Sequence, residues 1–365
     1  MGGLPDWHPQ DHEAGLRAPP LLLGAALMAL ARPAGTLDLP LPGPAPRAPL
    51  APVAGVGLPT DERCVSCHEE IAAEWRGSLH HRSWQNAYFV KSYAAEPTAF
   101  CRKCHAPSAD PSAPPPPEAR ELGIGCTTCH VVPAGIVGTR GLPRGPNGHE
   151  VIGDPRLGSS LACGGCHDFP FPSMPGQKAG PMQDTLGEHR RSAHASTPCQ
   201  GCHMPAVPSR GGGTHRAHGF VVQGDKAMLA RAVVVKVALL GPGEVRIMLE
   251  PGAIGHAFPT GDLFRQVEVR SIPLDAAGQP LPGGSREILG RTFTTPRIAQ
   301  EVLPREQTSD TRLRGQRILS LPVPRETRQA RWQIVWQRMP PAIAARLGMV
   351  MRDQEVVVTE GVVTR

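Results

Sequence analysis

Hydrophobic and polar side chains alternate in three short runs in the C-terminal part of the chain. The runs cover 245–249, 319–323 and 332–336, and segments rich in Gly and Pro separate them. Alternation with period two is typical of strands with one buried face, and turns between such runs favour antiparallel pairing. We therefore predict that residues 221–365, which contain no Cys, form an antiparallel β-sandwich. A short helix is expected at 341–347, with Pro341 at its start and Gly348 just past its end.

The segment before residue 221 has a different pattern. Pro, Gly and Ser interrupt residues 61–220 throughout, which argues against long helices. One helix is predicted near the start of this segment, where Ile71, Trp75 and Leu79 recur at helical spacing. The expected fold class is therefore α+β with two domains: short helices and loops over 61–220, and the β-sandwich over 221–365.

Two further segments precede residue 61. Residues 18–31 form an apolar run of signal-peptide length that ends in Ala29-Leu30-Ala31, a small-x-small cleavage pattern. The preceding charge is atypical, because Arg17 is accompanied by three acidic residues. We predict that 1–31 is a signal peptide; an uncleaved anchor, or no targeting role, are the alternatives. Residues 32–60 are predicted to be a linker rich in Pro and Ala.

All ten cysteines belong to five copies of the motif Cys-x-x-Cys-His. The copies comprise Cys64, Cys67 and His68; Cys101, Cys104 and His105; Cys126, Cys129 and His130; Cys163, Cys166 and His167; and Cys199, Cys202 and His203. In this motif the two thiols form thioether bonds to haem c, and the adjacent His binds the iron. We therefore predict that 61–220 packs around five covalently bound haems c. A zinc or redox-thiol use of the Cys pairs is an alternative, but it does not explain the five trailing His.

Composition and charge agree with a haem-filled core. Aromatic residues make up only 4% of the chain, and it contains 42 Pro and 41 Gly, so apolar porphyrin surface would supply core that the side chains lack. The formal net charge is +6, but five ferric haems of about −1 each would reduce it to roughly +1. We therefore predict no nucleic-acid partner. Because haem c is attached outside the cytoplasm, we expect an exported, periplasmic protein that contacts the membrane only if the N-terminal segment is not cleaved.

The second axial ligand of each iron decides what the haem can do. A second His gives a six-coordinate electron carrier, whereas an open position lets a substrate bind. Eight His outside the motifs are available beyond the signal segment, and the predicted ligands are His80, His149, His194, His218 and His256. Their neighbours, which we expect at the surface or as hydrogen-bond partners, are His81, His189 and His215. If 67–84 is one helix, His68 and His80 lie roughly 18 Å apart along its axis, so His80 must serve a different haem.

At these residues the chain resembles the cytochrome c-552/c-554 family of multihaem cytochromes. The matching motifs are the first Cys-x-x-Cys-His with Trp75-x-x-Ser78-x-His80, Gly125 before the third motif, Ser192-Ala-His194 before the fifth, Pro205 after it, and His218-Gly-Phe220. The C-terminal half is similar to a β-domain appended to many such proteins, through 255–261, 310–313 and the final helix. The resemblance implies closely stacked, mostly bis-His haems in carriers or in enzymes that act on small nitrogen or sulfur compounds.

These patterns together predict an electron carrier more than an enzyme. The chain has no Cys-x-x-Cys-Lys motif, which would mark a lysine-ligated catalytic haem in the family that it resembles. The expected partners are redox proteins, either a membrane quinol-oxidising complex or other cytochromes. The alternative is an oxidoreductase in which one five-coordinate haem acts on a small nitrogen or sulfur compound.

Overall fold

The computed structural model describes residues 40–43, 60–144, 148–172, 180–222, 224–241, 243–294, 297–298, 301–302 and 306–365. The predicted signal segment 1–31 and most of the predicted linker 32–60 lie outside the described residues. The described residues belong to one compact unit, Leu39–Arg365, and the boundary at residue 220 stays a prediction.

Within the described ranges, the α-helices are five to nine residues long. They are α1 (Asp61–Cys67), α2 (Glu69–Arg76), α3 (Ala87–Ala95), α4 (Ala99–His105), α5 (Pro117–Leu122), α6 (Cys126–His130), α7 (Leu161–His167), α8 (Thr185–Arg190), α9 (Cys199–His203), α10 (Lys226–Ala230) and α11 (Pro341–Arg346). Short 3-10 turns occur at Pro155–Gly158 and Met351–Asp353.

Each Cys-x-x-Cys-His motif lies on its own short helix. The five helices are α1, α4, α6, α7 and α9, and each ends at the motif His or one residue before it. Since residues three apart on a helix are neighbours, one helical turn brings both thiols to the same side. The motif itself therefore accounts for the position and the shortness of these helices.

A continuous helix over 67–84 does not form, which corrects that premise of the sequence analysis. His68 has non-helical angles, with φ −105° and ψ 50°, and it separates α1 from α2. The second helix ends at Arg76, and turns follow as far as Gln85. Ile71 and Trp75 lie on α2 as predicted, but Leu79 lies beyond its end. The distance between His68 and His80 is therefore set by the turns after α2 and not by the rise of one continuous helix.

The strands in the described ranges are mostly short before residue 230 and longer after it. They are β1 (Val131–Val132), β2 (Gly135–Gly138), β3 (Ile152–Gly153), β4 (Asp168–Pro170), β5 (Pro181–Asp184), β6 (Ala206–Pro208), β7 (Thr214–Arg216), β8 (Val233–Leu240), β9 (Glu244–Pro251), β10 (Gln266–Leu274), β11 (Ser285–Leu289), β12 (Arg291–Thr294), β13 (Arg297–Ile298), β14 (Glu301–Val302), β15 (Glu306–Asp310), β16 (Arg317–Pro322), β17 (Gln329–Gln337) and β18 (Glu355–Thr364).

The C-terminal strands form two main antiparallel sheets. Their strand orders are β11-β10-β17-β18 and β16-β9-β8. The three alternating runs of the sequence fall in β9, β16 and β17, so the strand predictions are confirmed. Both sheets contribute to one buried cluster, whose members include Val245, Ile247, Val267, Val269 and Ile334. Burial of alternate residues from both sheets provides the core of this part of the chain.

The remaining elements complete a mixed α and β architecture, as predicted. The expected C-terminal helix is confirmed as α11, and Gly348 just beyond it has a left-handed φ of 60°. Small hairpins formed by β1–β2, β4–β5 and β6–β7 lie between or after the motif helices. In the part of the chain that the structure describes, no helix has both the length and the apolar character needed to cross a membrane.

Candidate haem-binding site

Four of the five motif histidines face a histidine from outside the motifs. The ring centroids are 6.2–6.3 Å apart in every pair. The pairs are His68 with His149, His167 with His80, His130 with His218, and His203 with His256. Each pair brings one motif next to a distant segment of the chain. The four histidines from outside the motifs therefore link the motif helices to other segments, and His256 links the fifth motif to the segment that contains the two main sheets.

The separation within each pair fits one metal ion between the two rings. A histidine nitrogen binds a metal ion at about 2.0–2.1 Å, and the ring centre lies about 1 Å farther away, so two imidazoles on opposite sides of one ion have centroids about 6.2 Å apart. Direct stacking of two rings would bring them much closer. The four pairs therefore have the spacing that an axially ligated haem iron requires.

Hydrogen bonds to backbone carbonyls prepare these imidazoles for metal binding. Carbonyl oxygens accept from Nδ1 of six histidines at 2.7–3.0 Å. The six are His105, His130, His149, His203, His218 and His256. Because a carbonyl can only accept, the proton must lie on Nδ1, and this leaves the Nε2 lone pair free for a metal ion.

Desolvation keeps three of the paired imidazoles neutral. Desolvation, together with the positive charges of neighbouring histidines, lowers the pKa of His80 to about 3. Desolvation is also the largest cause that lowers the pKa of His167 and that of His256, each to about 4. A histidine must be neutral to bind a metal ion, so these three side chains are in the ligating form at physiological pH.

His80 contacts a second histidine pair through an aromatic residue. The ring of Phe220 lies 4.2 Å from that of His80 and 5.8 Å from that of His218. Phe220 has a φ of 47°, in the left-handed region that a bulky residue rarely adopts. Neither this conformation nor the contact could be predicted from the motif His218-Gly-Phe220, because both depend on a segment more than 130 residues away.

His105 is the motif histidine that differs from the other four. Its ring stacks on Phe89 with centroids 3.6 Å apart and an interplanar angle of 9°, and Trp84 and Tyr93 pack against Phe89. Among the residues that the structure describes, no second histidine ring contacts His105. The geometry therefore provides four His–His pairs for five motifs.

The structure places His194 apart from the motif histidines. Its side chain is exposed, and no ring contact joins it to another histidine within the described ranges, so its assignment as a ligand stays a prediction. Its neighbour His189 uses Nε2 to bond the carbonyl of Thr197, and His215 uses Nε2 to donate to Glu74. The ring of His81 contacts that of Trp75 at an angle of 45°, and its Nδ1 bonds the carbonyl of Leu122.

Contacts between cysteines of different motifs show which motifs are neighbours. Hydrogen-bonding contacts join the thiols of Cys64 and Cys126, of Cys104 and Cys166, and of Cys163 and Cys199. The first motif is therefore next to the third, and the fourth is next to both the second and the fifth. Groups attached at these sulfur atoms would therefore be neighbours.

A buried arginine near the fourth motif has an unsatisfied donor. Nε of Arg265 is buried and has no hydrogen-bond partner in the described part of the chain, while its Nη1 donates to the carbonyl of Thr260 at 2.8 Å. Its charge is close enough to lower the pKa of His167. Buried donors are rarely left unpaired, and a haem propionate would supply an acceptor here. The residues present therefore fit a haem at this motif.

Acidic side chains hold some of these elements in place. Glu74 on α2 accepts from the backbone N of His218 at 2.7 Å and from Nε2 of His215 at 3.1 Å. Asp61 on α1 accepts from the backbone N and the hydroxyl of Thr127 on α6, which joins the first and third motifs. The sequence analysis missed both carboxylates, because isolated acidic residues between motifs carry no spacing signal.

Among the described residues, no cluster of three or more His, Cys, Asp or Glu side chains has an arrangement that could hold a metal ion.

Comparison with known proteins agrees with this geometry. No curated protein matches the chain significantly. The fold is similar to the crystal structure of a penta-heme cytochrome c552 from Thermochromatium tepidum, with a TM-score of 0.66 and 20% sequence identity over 84% of this chain and 99% of that one. Residues 63–131 match the family described as cytochrome c554 and c-prime. The resemblance predicted from the motifs is therefore confirmed: the chain is similar to multihaem c-type cytochromes of the cytochrome c-552/c-554 family.

Proposed function

We propose that this multihaem cytochrome carries electrons through five covalently attached haems c, four of which are held between two histidines. The four His–His pairs with centroids 6.2–6.3 Å apart are the observation that carries this proposal. An iron with two His ligands exchanges one electron between its ferric and ferrous states without exchanging ligands. Backbone carbonyls orient five of the eight paired imidazoles, which limits their rearrangement during redox cycling.

Contacts between the motifs support electron transfer along a row. The thiol contacts place the first motif beside the third, and the second and fifth beside the fourth. Phe220 lies between a ligand pair of the third motif and one of the fourth. The proposed path therefore runs from the first motif through the third and fourth to the fifth, with the second as a branch at the fourth.

The compartment and the partners follow from the cofactor chemistry. Since haem c is attached outside the cytoplasm, we propose an exported, periplasmic protein with residues 1–31 as its signal segment. Its partners would be redox proteins, either a membrane quinol-oxidising complex or other cytochromes. We also infer that 221–365 forms a β-sandwich domain, which the single core shared by two antiparallel sheets supports.

Haem counting and spectroscopy test this proposal directly. The full chain would be produced with a c-type haem attachment system, and haem per chain would be measured after denaturation. We expect about five covalent haems, and low-spin ferric EPR signals for about four of them. Haem released by denaturation, or a majority of high-spin haem, would contradict the proposal. A redox titration of the same sample should show reversible one-electron steps.

A second function is favoured by one observation: within the described ranges, no second histidine ring lies opposite His105. A haem attached at Cys101 and Cys104 would have one open axial position, where a small nitrogen or sulfur compound could bind. Carbon monoxide distinguishes the two functions, because it binds ferrous haem only at an open position. No CO binding would favour the carrier alone. Binding of about one CO per chain, together with turnover of nitrite or hydroxylamine, would support the oxidoreductase.

A further inference from the structure

The loop that carries His256 is held by a carboxylate on α8, which precedes the fifth motif. Glu188 on α8 accepts through Oε2 from the backbone N of Ala257 at 3.2 Å and from the hydroxyl of Thr260 at 2.6 Å. Ala257 is also the residue whose carbonyl accepts from Nδ1 of His256. One carboxylate therefore fixes the backbone next to His256 and the carbonyl that sets the tautomer of its imidazole.

The other oxygen of the same carboxylate binds a buried arginine. Arg312 Nη2 lies 2.7 Å from Glu188 Oε1 and 2.7 Å from Asp310 Oδ2. Arg312 Nη1 also donates to the carbonyl of Pro259 at 3.3 Å, so the guanidinium contacts the loop that Glu188 holds. The loop is further paired with Leu313 through both backbone hydrogen bonds of Phe258.

This cluster is buried and joins distant parts of the chain. The side chains of Glu188 and Arg312 are 2% and 4% exposed. A buried ion pair contributes little net stability over an apolar packing, because desolvation of the charges offsets their attraction, but it strongly disfavours any arrangement that separates the charges. Such a pair is suited to fixing the position of a loop.

We propose that Glu188 and Arg312 are positioning residues that hold His256 at the iron of the haem attached by Cys199 and Cys202. This inference rests on the proposed function, since it takes His256 as an axial ligand. The ring of His256 lies parallel to that of His203, with an interplanar angle of 9° and centroids 6.2 Å apart. Loss of the Glu188 contacts frees the loop at Ala257 and Thr260, and the axial bond is then broken for part of the time.

The test compares CO binding and EPR spectra of the holoprotein with those of three variants. Glu188→Gln removes the charge but keeps the side-chain shape, and His256→Ala removes the ligand itself. His256→Ala is expected to bind about one more CO per chain than the wild type and to convert about one low-spin haem to high spin. Glu188→Gln is expected to give the same two changes in a fraction of the molecules. Thr260→Val removes one hydrogen bond to Glu188 and should give the same change to a lesser degree. It provides an independent test in case Glu188→Gln does not fold.

A matched control separates positioning from general stability. Glu268→Gln alters another buried carboxylate, whose side chain is 4% exposed and pairs with Arg270 in the sheet, and it should leave CO binding at the wild-type level. If His256→Ala binds extra CO while Glu188→Gln and Thr260→Val only lower the melting temperature, the positioning role is overturned and the ligand assignment stands. If His256→Ala itself changes nothing, the ligand assignment in the proposed function fails, and the positioning role fails with it.

Discussion

The imidazole rings of His203 and His256 are nearly parallel, with an interplanar angle of 9°, whereas the rings of His68 and His149 are inclined by 69°. In a bis-His haem both ring planes contain the axis through the iron, so the angle between them controls how far the iron orbitals that interact with the rings are split in energy. Parallel rings split these orbitals most, and nearly perpendicular rings leave them close in energy.

The first prediction follows from these two angles. The haem of the fifth motif should give an ordinary rhombic low-spin EPR signal, and the haem of the first motif a highly anisotropic low-spin signal. His149→Ala should remove the anisotropic signal, while His256→Ala should remove a rhombic one. Assignment of the signals by these two variants is the measurement, and loss of the same signal in both variants would contradict the geometry.

A second prediction concerns the pH dependence of the buried ion cluster. Burial disfavours ionisation of Asp310, but hydrogen bonds and positive charges from Arg312 and Arg314 outweigh it and hold the pKa of this carboxyl below its ordinary value of 3.8. A carboxyl with a depressed folded-state pKa stabilises the fold above its unfolded-state pKa, and this contribution is lost as the pH falls through the folded-state pKa.

Asp310→Asn should therefore destabilise the protein near neutral pH and not in strong acid. Removing one partner of a buried ion pair costs roughly 3 kcal/mol, so the free energy of unfolding at pH 7 should fall by about that amount, and the difference should shrink below the ordinary pKa of a carboxyl and vanish below the lower folded-state pKa. Denaturant unfolding of both proteins across this range is the measurement. A constant difference at all pH values would show that the carboxylate charge is not responsible.

The part of the fold that could be predicted from the sequence is the part governed by local patterns. Alternation predicted strands at β9, β16 and β17, and Pro341 with Gly348 predicted α11, because burial on one face and helix capping act over a few residues. The five motif helices follow from the spacing of their cysteines. The helix predicted after the first motif was too long, because non-helical angles at His68 interrupt it and α2 already ends at Arg76.

The pairing of the histidines could not be predicted in the same way. The candidates included His149, His218 and His256, but their partners depend on which segments meet in three dimensions, and the sequence separations of the pairs range from 53 to 88 residues. The sequence also favoured His194, whose exposed side chain contacts no motif histidine in the described ranges. The carboxylates at positions 74 and 188 were missed because their roles consist of contacts with distant backbone.

A third prediction separates two acidic residues on one helix. Glu74 accepts from the backbone N of His218, whereas Glu70, one turn earlier on α2, accepts from Ser209 and from the backbone N of Arg210. Glu74→Ala leaves the amide of His218 without this acceptor, which costs about 1–3 kcal/mol when the group stays buried. We expect Glu74→Ala, but not Glu70→Ala, to let CO bind the haem of the third motif. Equal CO binding by the two variants would contradict a specific role for Glu74.

The fourth prediction concerns the charge of Arg265 beside the fourth motif. Reduction of a haem adds one negative charge, so a nearby buried positive charge favours the ferrous state. Removal of this charge by Arg265→Met should lower the midpoint potential of the haem attached at Cys163 and Cys166 by on the order of 50 mV, the equivalent of about 1 kcal/mol in a one-electron step.

Arg246→Met is the matched control, because it also removes one positive charge, from a half-exposed side chain on β9 that pairs with Glu244. A spectroelectrochemical titration should show one component shifted in the first variant and no comparable shift in the control. Equal shifts in both would mean that Arg265 acts only through net charge, and retained low-spin EPR signals would establish that the axial histidines are still bound.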